Sequence, residues 1–233
     1  MPEVRPRHAA PAQDSDDVVP VRMESVTLSV VVMAHPKRRE WAEALAARLD
    51  PCPIIYDPEP DGEPSSWRTA RLAWAAHREM PDATHHMVVQ DDAIPCYRFL
   101  HGAHAAIAAR PDRCLSFYGN RKEIGAALER GESWARVRDF LNAQAVVLPV
   151  GWIRQYVAYG DAMGEGDDDW RLQHYLKAMG EYALLSAPSL VQHGSPDSGL
   201  LGHGKMPIRR VSRWFADDLG IDVTTIDWTK GAA

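Results

Sequence analysis

The sequence predicts an α/β fold, with a mostly parallel central sheet flanked by helices. Three observations carry that expectation. Val26-Thr27-Leu28-Ser29-Val30-Val31-Val32-Met33 is a β-branched run of the kind that a central strand buried on both faces requires. Shorter apolar runs, His86-Met87-Val88-Val89-Gln90 among them, alternate with stretches whose apolar residues recur every three or four positions. No internal repeat or linker breaks the alternation, which predicts one domain over 25–222, between tails at 1–24 and 223–233.

Each element has its own local reason. The first 24 residues hold Pro2, Pro6, Pro11 and Pro20 without apolar periodicity, as a tail does. After the first strand, Pro36 opens a helix bearing Trp41, Ala44, Leu45, Arg48 and Leu49. Pro53-Ile54-Ile55-Tyr56 reads as a strand ending in the turn-rich Asp57-Pro58-Glu59-Pro60-Asp61-Gly62. Ser65 or Ser66 caps a helix to about Met80, with Trp67, Ala70, Arg71 and Trp74 on one face. Strands at 86–90, 114–118, 143–148 and 182–185 follow, with helices at 121–130, 151–159, 168–179 and 207–219.

Composition narrows the class. The chain has 233 residues, of which 45% are hydrophobic and 25% charged, enough to build a core without cross-links. Asp and Glu outnumber Lys and Arg by 32 to 26, which disfavours a dedicated nucleic-acid coat but leaves room for a local basic groove. Cys52, Cys96 and Cys114 are far apart and odd in number, so free thiols in a reducing compartment are expected. The apolar run from Val26 to Ala34 is too short to span a bilayer, and the amino terminus lacks a secretory pattern. A cytoplasmic protein is the expectation.

The most informative motif is Asp91-Asp92 at the end of a buried strand. Ligands of open parallel sheets bind at the carboxyl ends of the strands. Adjacent carboxylates there repel one another unless a cation or donors compensate. A hard cation such as Mg²⁺ or Mn²⁺ suits them, with substrate phosphates completing its shell; a solvated turn that merely ends the strand is the other reading.

Val88-Val89-Gln90-Asp91-Asp92-Ala93 resembles the acidic motif of GT-A-type glycosyltransferases, which use nucleotide-sugar donors. It is most similar to small bacterial and phage-encoded members and to the lipopolysaccharide glycosyltransferase family, although Gln90 stands where that motif carries an acid. The likeness extends over roughly residues 28 to 203. It implies a Rossmann-like GT-A domain. By the same resemblance, Ala34, His35 and Asp57 would receive the base and ribose together with Gln90 and Asp91. Arg71 of Ala70-Arg71 would lie near the diphosphate, and Asp92 with His193 would hold Mn²⁺ or Mg²⁺. Gln144 to Pro149 resembles the strand before the acceptor side.

Gly166-Asp167-Asp168-Asp169-Trp170 precedes Leu172, Tyr175, Leu176 and Met179, whose spacing forms an inward stripe. Asp168 falls four residues before Leu172, so its carboxylate shares that face. Asp167 is placed to cap the helix. In GT-A enzymes an acid at such a helix start deprotonates the acceptor hydroxyl, which makes Asp168 and Asp169 the candidate bases and direct, inverting attack the expected chemistry. The helix dipole would hold such an acid ionised.

Val191-Gln192-His193-Gly194-Ser195-Pro196-Asp197-Ser198 has the composition of a site loop, and His193 there is either a metal ligand or a histidine bonded to backbone. Gly199, Gly202, His203, Gly204 and Lys205 suit a loop closing over diphosphate. His85 and His86 are expected to be structural. His35-Pro36-Lys37-Arg38-Arg39 stands where a phosphate-cradling glycine loop would be, which argues against a Walker nucleotidase and a dinucleotide-binding domain.

The expected activity is transfer of a sugar from a nucleoside-diphosphate donor, UDP-linked first, to an acceptor hydroxyl. The acceptor classes are glycan, lipid-linked sugar, small molecule or a hydroxylated base of phage DNA. Arg209, Arg210 and Arg213 with Trp214 form either a polyanion-binding segment or a solvated helix anchored by Trp214 and Phe215. A nucleotide-sugar hydrolase and a catalytically silent nucleotide-sugar-binding protein are the alternatives.

Overall fold

A computed structural model describes residues 25–137, 139, 143–194 and 211–232. The strands, in chain order, are β1 (Leu28–Ala34), β2 (Ile54–Tyr56), β3 (His85–Gln90), β4 (Ala93–Pro95), β5 (Cys114–Ser116), β6 (Trp134–Val137), β7 (Ala145–Pro149), β8 (Ala183–Ser186) and β9 (Val191–His193). The helices are α1 (Arg39–Arg48), α2 (Ser66–Ala75), α3 (Phe99–Ala109), α4 (Lys122–Glu129), α5 (Val150–Ala162) and α6 (Asp168–Ala178).

A seven-stranded sheet runs in the order β2-β1-β3-β7-β5-β8-β6. Strands β1, β2, β3, β5 and β8 point one way and β6 and β7 the other, so the sheet is mostly parallel, as expected. Register is continuous where the site lies: Leu28 pairs with His85 and Met33 with Gln90, while Val32 pairs with Ile54. Both faces are covered. Val32, Val89, Val147 and Leu184 pack toward Leu45 of α1 and Phe99 and Ile107 of α3. Val31, Val88, Val146 and Leu185 pack toward Trp67 and Trp74 of α2, Tyr156 of α5 and Leu172 of α6. This double burial is why the strands read as unbroken apolar runs.

Local details correct several expectations. The inward face of α1 is Ala42, Leu45, Ala46 and Leu49, leaving Trp41 48% exposed. Met179 is likewise exposed, since α6 ends at Ala178 and only Leu172, Tyr175 and Leu176 reach the core. The described part of the 207–219 segment forms turns, with Phe215 bridging to Ser189, so no helix is present there. Trp214 packs on α4, whose Gly125 leaves room for the indole, and this favours the anchoring role over base stacking. Residues 223–232, expected as a tail, fold back onto the body: Trp228 is buried against Trp134 and accepts the indole N–H of Trp134 at its backbone oxygen. Helix α3 and the short strands β4, β6 and β9 are elements that the sequence reading did not place.

The structural histidines are as expected. His86 lies between the Ser29 hydroxyl and the Ala73 carbonyl, each at 2.9 Å, and burial pushes its pKa down to about 4. Cys52, Cys96 and Cys114 are free thiols. No helix among the described residues is long and apolar enough to cross a membrane.

Candidate active site

The carboxyl ends of the adjacent parallel strands β2, β1 and β3 open into one cleft, closed on the far side by the starts of α2 and α6. Its lining includes Ala34 at the end of β1 and His35 just after it, Asp57 after β2, and Gln90, Asp91 and Asp92 at the end of β3. Ser65, Ser66 and Thr69 come from α2 and its cap, and Asp168 from the first turn of α6. Residues far apart in sequence therefore meet because parallel strands deliver their loops to one edge.

Asp91 and Asp92 are 6% and 7% exposed. The His35 backbone N–H donates to Asp91 Oδ2 at 2.8 Å. Arg38 Nη1 lies 2.9 Å from Asp91 Oδ1 and 2.9 Å from Asp92 Oδ2, one guanidinium nitrogen shared by both acids. Burial pushes the Asp91 carboxyl up, and the Arg38 charge and the His35 N–H act against that rise. Burial also disfavours the Arg38 charge, but Asp91 and Asp92 outweigh it and hold the guanidinium above its ordinary value. The antiparallel pair β4–β9 sets Ala93 opposite His193, and the Gly194 N–H donates to the Asp92 backbone oxygen at 2.8 Å. That register brings His193 Nε2 to 3.7 Å from Asp92 Oδ2.

The resemblance implies a divalent cation at this place, and the residues fit one. A positively charged nitrogen already sits between the two carboxylates. Asp92 Oδ1 is buried and has no hydrogen-bond partner among the described residues. Carboxylate with imidazole suits Mn²⁺, and two carboxylates with substrate phosphates suit Mg²⁺. Among the described residues no three His, Cys, Asp or Glu groups are gathered for an ion. A divalent cation at this place would take only part of its shell from the described residues, with ligand oxygens supplying the rest.

Asp168 closes the opposite wall. Its Oδ2 accepts from the Gln90 amide at 3.2 Å, and its backbone N–H donates to Ser66 Oγ at 2.9 Å. The Ser66 hydroxyl in turn donates to Asp167 Oδ1 at 3.2 Å. Asp167 holds the N-cap position of α6 but makes no side-chain cap bond, because its carboxylate is turned to Ser66. Burial first, and then the charge of Asp169, push Asp168 up to about 7. This corrects the expectation that the helix dipole dominates: desolvation outweighs it. Asp169 is half-buried beside it and does not line the cleft.

Of the expected donor-side residues, Arg71 alone does not line the cleft. Arg71 points away from the cleft, 51% exposed at its side chain and 3.5 Å from Asp161. Arg68, one turn earlier, is the α2 arginine near the strand ends. It grips Asp57 with two bonds of 2.8 and 2.9 Å and holds that carboxyl below its ordinary range. Gln90 faces Asp168 across the cleft. Sequence alone assigns no site role to Arg38 or Arg68, and it offers Ser66 only as a helix cap, a position that Ser65 holds. Arg38 was visible only as part of the His-Pro-Lys-Arg-Arg run that replaces a glycine loop. Ser195 to Ser198, Gly199, Gly202, His203, Gly204, Lys205, Arg209 and Arg210 lie outside the described residues.

No family profile matches the sequence. No curated protein matches it either. Among solved structures, the protein A197 from STIV is similar over 70% of this chain and 83% of its own, at 9% identity and a TM-score of 0.42. A Drosophila β-1,4-galactosyltransferase 7 mutant, solved with manganese, UDP-Gal and xylobiose, matches 85% of this chain and 81% of its own, at 10% identity and a TM-score of 0.41. A mannose-1-phosphate geranyltransferase from Thermus thermophilus matches 69% of this chain and 74% of its own, at 9% identity and a TM-score of 0.38.

Proposed function

We propose that this protein is a glycosyltransferase that moves a sugar from a nucleoside-diphosphate donor, UDP-linked by first preference, to an acceptor hydroxyl. The observation that carries the reading is the pairing, in one cleft, of a buried acidic couple at a strand end with a separate carboxyl of pKa about 7 on the facing helix. Asp57, His35 and Asp91 line the side where ribose and base would lie. Asp168 faces them through Gln90. A carboxyl that titrates near 7 is matched to accepting a proton from an alcohol and releasing it to water at neutral pH.

In the reaction, the acceptor O–H proton passes to Asp168, the acceptor oxygen bonds the anomeric carbon, and the bond from that carbon to the diphosphate breaks. Direct attack of this kind inverts the anomeric centre. A divalent cation held by Asp92 and His193 beside Asp91 would take up the charge that develops on the departing diphosphate. Gln90 keeps the base aimed into the cleft, and Ser66 fixes the start of the helix that bears it.

The test is release of nucleoside diphosphate from a panel of nucleotide sugars, measured with and without simple acceptor alcohols. Acceptor-dependent release that falls by about 10²- to 10⁴-fold in Asp168→Asn supports transfer with Asp168 as base. Equal release with no acceptor would make the protein a hydrolase instead. Absence of release from every donor, with nucleotide sugar still bound, would make it a binding protein.

A further inference from the structure

Arg38 ends the short 3-10 turn Pro36–Arg38 that follows β1, a turn with no buried residue of its own. Its Nη1 is 2.9 Å from one oxygen of each acid of the pair. The three side chains are 15%, 7% and 9% exposed for Arg38, Asp91 and Asp92. Two carboxylates buried this deeply need a cation between them, because an unopposed like-charge pair is costly out of water. The guanidinium meets that need incompletely. Asp91 Oδ2 is satisfied by the His35 N–H, but Asp92 Oδ1 is buried with no partner among the described residues. A planar guanidinium directs its donors along a fixed fork, whereas a spherical ion accepts oxygens from any side. Such an ion would engage the acids at the same point, next to His193 Nε2 at 3.7 Å from Asp92.

We propose that Arg38 is an exchangeable counter-ion: it neutralises Asp91 and Asp92 while the cleft is empty, and a divalent cation competes with it for the same oxygens. Cation binding and the Arg38–Asp pairing are then mutually exclusive, and the arginine side chain withdraws as the ion enters. The donor-site reading gives this exchange its purpose, but the measurement below contains no nucleotide, so either idea can fail without the other.

The experiment is a titration of the full chain with Mn²⁺, followed by the electron paramagnetic resonance signal of the free ion. Removing a charge-assisted competitor should tighten binding at least ~10-fold in Arg38→Gln relative to the unaltered protein. Asp92→Asn should abolish binding in both backgrounds. Affinities within a factor of about two of each other, or no Mn²⁺ binding by either form, would overturn the proposal. A second readout needs no substitution that leaves the acids unopposed. In the unaltered protein, saturating Mg²⁺ should remove the slowly exchanging guanidinium proton signal of Arg38 in nuclear magnetic resonance spectra. Persistence of that signal with Mg²⁺ bound would overturn the exchange.

Discussion

Burial of Asp168 beside Tyr156, Ser66 and Asp169 gives one carboxyl two opposed effects. Its pKa of about 7 lies well above that of an exposed aspartate. The folded protein therefore holds a proton that the unfolded chain has already lost between about pH 4 and pH 7. With the folded pKa raised, this group's contribution to stability is fully present at low pH and is lost as pH rises through about 7. Asp168→Asn removes the ionisation, so its melting temperature should exceed that of the unaltered protein at pH 8 and the gap should narrow toward pH 5. The proposed catalysis runs the other way. A base must be ionised, so turnover should rise with pH through about 7, and the residual turnover of Asp168→Asn should lack that limb. Thermal melts and pH–rate profiles on the two proteins check both halves. A melting gap independent of pH would contradict the buried ionisable group.

At the scale of elements, the site depends on how α5 hands the chain to α6. Arg171 is 5% exposed, and its guanidinium donates to the backbone oxygens of Gly160, Met163, Gly164 and Gly166. It thereby pins the connection that ends in Asp167 and Asp168. Gly166 has φ of +121°, a backbone shape that side chains disfavour, which explains a glycine immediately before the acidic run. Arg171→Met keeps much of the volume but strands those oxygens. The expected cost is about 2–3 kcal/mol, read as a fall of roughly 5–10 °C in melting temperature for a chain of this size. Loss of stability under about 0.5 kcal/mol would mean that the connection is held by other contacts.

Elements with a strong period were legible in the sequence, and those without one were not. The apolar run ending at Ala34 and the 172/175/176 stripe found β1 and the face of α6, because burial on both sides of a strand or on one stripe of a helix imposes those patterns. Three-residue strands such as β4 and β9 carry no period, yet their pairing is what brings His193 to Asp92. Arg71 and Arg68 sit on the same helix, and only the course of α2 across the strand ends decides which of them meets Asp57.

Across the whole molecule, the parallel strands β2, β1 and β3 deliver Asp57, His35, Arg38 and the Asp91–Asp92 pair to one edge, and α6 sets Asp168 opposite them. The acidic pair was readable from its place after a buried strand. Its partner Arg38 was not, because the contact spans more than fifty positions and depends on the parallel register of β1 and β3. Under the proposed function this edge, acids with a shared cation, would meet the hydroxyls of a donor with its carboxylates and the diphosphate with a cation.

The most direct measurement of the central claim is thermal melting with nucleoside diphosphates and their sugars, in the presence of Mn²⁺, on the unaltered protein and on Asp91→Asn. One nucleotide family at about one hundred times its dissociation constant should stabilise the unaltered protein by roughly 2.7 kcal/mol and leave Asp91→Asn unshifted. No shift with any nucleotide, or the same shift in Asp91→Asn, would contradict a donor site at this cleft.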